Sequence, residues 1–145
     1  VIADFLQIAD IQTFSGGTEA TALNPRVVTA LKKVGFEVTT KTPAASNPHY
    51  EIIWSEAQRP AIAFSKKYAA APNPTNEFAA IMVCNEADAG CPIVEGADFR
   101  LAVPFNDPKA FDDTEVEAEK YLERCRDIGR EMMFVMQQVQ QKGSF

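Results

Sequence analysis

The chain contains little histidine, tryptophan, cysteine or long apolar sequence. Its 145 residues include one histidine, one tryptophan and three cysteines, and three cysteines are too few for a disulfide scaffold. No apolar run approaches the length that crosses a bilayer, so we expect neither a membrane partner nor a signal peptide. A formal net charge of −6 disfavours nucleic acid as a partner. We therefore expect a cytoplasmic globular protein.

The same scarcity disfavours a metal cofactor. Cys84 and Cys91 have no second close cysteine pair, and His49 lies in a separate proline-rich segment, so the usual zinc ligand set is missing. Cys125 falls on the apolar stripe of the last predicted helix, where packing explains it. We interpret His49, which follows Pro48, as a surface loop residue, and we expect no bound cofactor.

Alternating helix and strand patterns predict a single α/β domain over residues 1–145. Residues 1–8 are typical of the back half of an amphipathic helix, and residues 11–14 of a strand. Asn24 and Pro25 supply an N-cap and a first helical residue, and Gly35 ends that helix. Residues 36–40 alternate apolar and polar side chains, which predicts a short edge strand.

The segment 42–76 is rich in proline and holds two candidate strands, at 50–54 and 61–65. We interpret it as a β-hairpin insertion laid against the main sheet, a structural excursion rather than a substrate rim.

Thr114 and Glu117 have the spacing of a capping box, which predicts a helix to about Gln141, before Gly143. Residues recurring at three and four positions predict its buried face: Ala118, Tyr121, Cys125, Ile128, Met132, Val135 and Val139.

Two uncharged apolar runs, at 78–83 and 99–105, predict buried parallel strands. Cys84 ends the first run and Cys91 lies in the loop beyond it, whereas Asp107 follows the second run. Open α/β sheets place their sites at this carboxyl edge. Packing is an equally good explanation for the two cysteines, and a turn is an alternative for the Asp-Pro pair.

Several motifs resemble the low-molecular-weight tyrosine phosphatase and thioredoxin-coupled arsenate reductase superfamily. They are the cysteine-bearing strand and loop, Asn106-Asp107-Pro108, the turn Ser15-Gly16-Gly17-Thr18, and Asn24-Pro25-Arg26. The resemblance implies a three-layer α/β/α sandwich around a mainly parallel four-stranded sheet. It also implies that Asp107 is the general acid. In the reductase branch Cys84 and Cys91 would form a redox relay, with thioredoxin or another thiol as the reductant.

The family's nucleophile, a cysteine in a Cys-x5-Arg loop, does not occur in this sequence. The motif places arginine six residues after the cysteine. Six residues after Cys84, Cys91 and Cys125 the sequence has Gly90, Ala97 and Glu131. In the family, the backbone N–H groups and the arginine of this loop hold the oxyanion. The resemblance implies either that a strand and this loop precede Val1 or that the protein is a relative without the nucleophile. An upstream segment, or a neighbouring molecule, would then supply a strand between those predicted at 11–14 and 78–83.

Two functions from different classes follow. One is an enzyme acting on phosphotyrosine-like esters or arsenate, with a thioredoxin-like partner if it is a reductase. The other is a non-catalytic oxyanion-binding or interaction module of the same fold. A weaker alternative is a dithiol redox protein that uses Cys84 and Cys91 alone. Against reductase chemistry, Ala87, Asp88 and Ala89 separate the two cysteines without a basic residue to stabilise a thiolate.

Overall fold

The computed structural model describes residues 1–84 and 94–142, and it confirms a mixed α/β fold. The helices are α1 (Ile2–Phe5), α2 (Pro25–Lys33) and α3 (Glu117–Lys142). The strands are β1 (Glu37–Thr40), β2 (Tyr50–Ile53), β3 (Ala61–Ala63), β4 (Phe78–Cys84) and β5 (Ala97–Phe105). A 3₁₀ turn, Pro108–Phe111, lies between β5 and α3.

The first sheet is antiparallel and contains β1, β2 and β3 in that order. Thr40 is the partner of Tyr50, and Tyr50 is in turn the partner of Ala63. The predicted hairpin and the predicted strand at 36–40 are therefore confirmed. The hairpin was expected against the main sheet. Instead it pairs with the strand at 36–40, and the three strands form a separate sheet.

The second sheet is a parallel pair, β4 with β5. Both strands were expected from their apolar runs, and they pair from Phe78 with Ala97 to Cys84 with Phe105. Within the described ranges this sheet has two strands, so the four-stranded sheet is not present there. One face of this pair is open, since Phe99 and Leu101, which lie on the same side of β5, are 61% and 42% exposed.

The expected strand at 11–14 is wrong. These residues belong to no ladder, and the chain first makes a strand-like pair at Gly17, which bridges Lys67 in parallel. A short segment with strand-forming residues becomes a strand only where a neighbouring strand pairs with it. Here Phe14 is 44% exposed instead of lying on a sheet face.

The start of α2 is as expected. Asn24 Oδ1 accepts a hydrogen bond from the Arg26 N–H at 2.9 Å, Pro25 is the first helical residue, and Gly35 follows the helix with φ of +101°. The first helix was expected over residues 1–8 and is limited to α1, where Phe5 is 75% exposed.

The capping box expected at Thr114 is wrong, because α3 begins only at Glu117. The Thr114 hydroxyl donates to the Phe111 carbonyl at 2.7 Å, and the Glu117 carboxylate accepts from the Asp113 N–H at 2.7 Å. The middle of the predicted apolar face is buried or half-buried, whereas its two end residues, Ala118 and Val139, are exposed.

The core lies where α2 packs on α3 and on β1. Its buried apolar side chains include Ala30, Val38 and Tyr121, and Ala80 of β4 is buried as well. Among the described residues, no helix is both long enough and apolar enough to cross a membrane.

Candidate functional site

The carboxyl edge of the parallel pair carries two of the predicted site residues. Cys84 is the last residue of β4 and is paired with Phe105, the last residue of β5. Asp107 follows shortly after Phe105. Because the strands are parallel, Cys84 and Asp107 leave the sheet at the same edge. Cys91 lies outside the described residues.

Asp107 caps the 3₁₀ turn that follows β5. Its Oδ1 atom accepts a hydrogen bond from the Lys109 N–H at 2.9 Å, and Pro108 occupies the first position of the turn. The side chain is exposed. Within the described ranges its second carboxylate oxygen makes no hydrogen bond. Capping the turn therefore occupies one oxygen of Asp107, and the other is left for the proposed role as an acid.

Just beyond this turn, one guanidinium contacts three carboxylates. Arg26 Nε lies 2.6 Å from Glu117 Oε2, Nη2 lies 2.8 Å from Asp113 Oδ1, and Nη1 lies 3.5 Å from Asp112 Oδ2. The arginine is in the first turn of α2, whereas its partners precede or begin α3. We call these four residues the Arg26 cluster.

Hydrogen bonds and charge–charge contacts in the Arg26 cluster shift the pKa of two of its members, Glu117 and Arg26. The pKa of Glu117 is lowered, first by the hydrogen bond from the Asp113 N–H and then by the Arg26 side chain. The pKa of Arg26 is raised, chiefly by its hydrogen bond to Glu117. Both shifts favour the charged forms, so Arg26 and Glu117 stay ionised at neutral pH.

Tyr121 connects the cluster to the core. Its hydroxyl donates to Asp112 Oδ1 at 2.8 Å and accepts from Asn24 Nδ2 at 3.0 Å. The side chain is 5% exposed. Burial, together with the hydrogen bond to Asp112, raises the pKa of Tyr121 from 10.0 to about 12.

Asp112 and Asp113 lie just before α3, where helix-capping residues are common, but their contacts show a different role. Both carboxylates bind Arg26, and neither accepts a hydrogen bond from the first turn of α3. The sequence did contain a signal for these contacts. Arg26 lies in the first turn of α2, where a positive charge opposes the helix dipole. Arg26 therefore needed acidic partners from elsewhere in the chain.

His49 and Cys125 were both expected to have no catalytic role. His49 lies in the loop before β2, as expected, but it is half-buried there, and its ring stacks on Phe64 with 4.2 Å between centroids. Lys66 lies on the same phenyl ring, with Nζ 4.7 Å from its centroid, and is 8% exposed. Cys125 is half-buried on α3, and burial raises the pKa of its thiol, which favours the unreactive form.

Asp107 does not line the concave features described on the surface. A surface groove of about 550 Å³ runs along α3, lined by residues that include Arg126, Met133 and Phe134. Across residues 1–84 and 94–142, no group of three or more histidine, cysteine, aspartate or glutamate side chains is arranged to hold a metal ion.

No protein-family model matches this chain, and comparison with curated proteins gives no match.

Proposed function

We propose that the chain is part of an enzyme similar to low-molecular-weight tyrosine phosphatases or to thioredoxin-coupled arsenate reductases. Asp107 acts as the general acid, and the substrate is a phosphorylated ester or arsenate. The nucleophile is a cysteine in a Cys-x5-Arg loop, which this sequence does not contain. The observation that carries the proposal is the parallel register of Cys84 with Phe105, which supports a common edge for Cys84 and Asp107.

The proposed role of Asp107 follows from the chemistry of phosphate esters. When the bond between phosphorus and the leaving oxygen breaks, that oxygen gains negative charge and takes up a proton. A carboxylic acid within hydrogen-bond reach supplies the proton and becomes a carboxylate. Asp107 is suited to this role because it is exposed and has one carboxylate oxygen without a described partner.

We also propose the three-layer architecture that the resemblance implies. A mainly parallel four-stranded sheet covered by helices on both faces would add strands to the pair formed by β4 and β5. Parallel sheets are usually covered on both faces. The exposure of Phe99, Leu101 and Val83 on the pair supports additional covering layers.

In the reductase form of the proposal, the Cys84 and Cys91 thiols supply the two electrons that reduce arsenate. Two thiols are oxidised to a disulfide as arsenate is reduced, and thioredoxin or another dithiol then reduces that disulfide. The position of Cys84 at the end of β4 supports an exit from the sheet towards the loop that holds Cys91.

The experiment begins with the gene upstream of the Val1 codon, where the proposal expects a Cys-x5-Arg sequence. The full gene product is then assayed for p-nitrophenyl phosphate hydrolysis and for thioredoxin-dependent arsenate reduction. Asp107→Asn should lower turnover of aryl phosphates by about 10²–10⁴-fold and leave phosphate binding nearly unchanged. Asp98→Asn, at an exposed carboxylate near the other end of β5, is the matched control. Equal activity of the two variants would overturn the role of Asp107.

A second candidate is a non-catalytic module of the same fold that binds an oxyanion or a protein. Two observations favour it. The sequence has no Cys-x5-Arg, and one carboxylate oxygen of Asp107 is engaged as a turn cap. A gene without the upstream motif, whose product binds phosphate but does not turn over aryl phosphates, would select this candidate.

A further inference from the structure

We propose that Arg26 is a positioning residue for Asp107, which it controls through the 3₁₀ turn between them. The inference rests on the proposed role of Asp107 as general acid. Arg26 has no place in that chemistry itself. It holds the far end of the turn that carries the acid.

The turn Pro108–Phe111 is short and is fixed at both ends. Asp107 caps its beginning through the Lys109 N–H, and Asp112 ends it, donating its own N–H to the Lys109 carbonyl at 3.1 Å. A single turn closed in this way moves as a unit. A displacement of Asp112 is therefore carried to the carboxylate of Asp107.

Arg26 fixes Asp112 to a rigid support. The arginine belongs to the first turn of α2, whose cap, Asn24, also bonds Tyr121, and Tyr121 donates to Asp112. Asp112 is thus held from α2 directly by Arg26 at 3.5 Å and indirectly through Tyr121. A planar guanidinium with several donors suits such branched contacts, whereas an ammonium provides a single point charge.

Asp113, which follows Asp112, is also held by Arg26. Asp113 has φ of +61°, a left-handed conformation that costs free energy for a residue with a Cβ atom. Its Oδ1 atom is bound by Arg26 at 2.8 Å, and its N–H is bound by Glu117 at 2.7 Å. Loss of Arg26 removes one of these restraints directly and loosens the other, because Glu117 also loses its partner.

Hydrogen exchange of the chain 1–145 tests the physical part of the inference. In Arg26→Met, the Lys109 and Asp112 amides should exchange about tenfold faster than in the parent, because charged hydrogen bonds that hold the turn are lost. Amides of the antiparallel sheet, such as Val38, should be unaffected. Arg26→Lys should give an intermediate effect. The control is Arg130→Met, which removes an exposed arginine whose ion pair in the described part of the chain, with Asp127, lies within α3. Uniformly faster exchange would mean that Arg26 stabilises the fold as a whole, and unchanged exchange at Lys109 would also overturn the inference.

Kinetics of the full gene product test the link to Asp107. Arg26→Met should lower kcat about tenfold for aryl phosphates whose leaving groups need a proton, with KM nearly constant. The loss should shrink for leaving groups that need none. In an Asp107→Asn background the same substitution should have no further effect, because residues that act through one another are not additive. Additive losses would overturn the inference. An inactive parent would refute the proposed function instead, and hydrogen exchange would still decide whether Arg26 orders the turn.

Discussion

The Tyr121 hydroxyl lies between Asp112 and Asn24, donating to the first at 2.8 Å and accepting from the second at 3.0 Å. It therefore joins the residue that ends the 3₁₀ turn to the residue that caps α2. Because the phenol is almost fully buried, this bridge has little competition from water, and its loss would leave two polar groups short of a partner.

Tyr121→Phe removes the hydroxyl and keeps the ring. We expect the free energy of unfolding to fall by about 1–3 kcal/mol, the cost of leaving a buried polar group without its hydrogen bond. Urea denaturation monitored by circular dichroism measures the change. Tyr50→Phe is the control, because the Tyr50 hydroxyl makes no hydrogen bond to any residue in the described ranges. Equal stability of the two variants would show that the bridge contributes nothing.

Alkaline pH should weaken the fold through Tyr121. Its pKa is 10.0 for the free side chain and about 12 in the folded chain, so the unfolded chain loses this proton first. The contribution of Tyr121 to stability is complete below pH 10 and is lost as the pH rises through about 12. The difference in tyrosinate absorbance between the parent and Tyr121→Phe isolates this titration. A midpoint near 10 would contradict the expectation.

Adjacent glycines in the turn before α2 should respond differently to alanine. A Cβ atom on Gly16 would lie 2.5 Å from Tyr68 Cα, whereas one on Gly17 would meet no atom closer than 3.6 Å. Gly16→Ala forces backbone to move and should cost about 1–3 kcal/mol of unfolding free energy. Gly17→Ala should stay within about 0.5 kcal/mol of the parent. Thermal denaturation of the pair compares them directly, and similar melting temperatures would show that this contact yields without cost.

Mild oxidation should produce a disulfide between Cys84 and Cys91 and leave Cys125 reduced. A disulfide requires the Cα atoms of the pair to approach within about 7 Å. Cys125 should resist because it is half-buried and burial raises the pKa of its thiol. Peptide mapping by mass spectrometry identifies the product. If Cys84 and Cys91 both resist alkylation in the folded protein, they are packing residues and the reductase proposal fails.

Local elements were predictable because their signals lie in neighbouring residues. Asn24, Pro25 and Gly35 mark the two ends of α2, and apolar runs mark β4 and β5. The strand expected at 11–14 failed for the opposite reason. Its pattern is local, but a strand forms only when a partner is available, and within the described ranges this segment has none.

The Arg26 cluster could not be predicted from spacing. Arg26 and Asp113 are 87 positions apart, and only the packing of α2 on α3 brings them together. Asp107 could be found because it directly follows a strand, which fixes the edge at which it lies. Its use as a turn cap depends on the Lys109 N–H, which the sequence indicates only through the adjacent Pro108.

The wide separation of Asn24 and Tyr121 along the chain, 97 positions, has a consequence for folding kinetics. Closing so long a loop costs entropy before any contact is gained, whereas Thr39 and Glu51 of the antiparallel sheet are only 12 positions apart. We therefore expect the antiparallel sheet to form early and the bridge between α2 and α3 to form after the rate-limiting step. Substitutions at Asn24, Arg26 or Tyr121 should then accelerate unfolding and leave the refolding rate nearly unchanged. On this expectation these residues set how long a folded molecule persists.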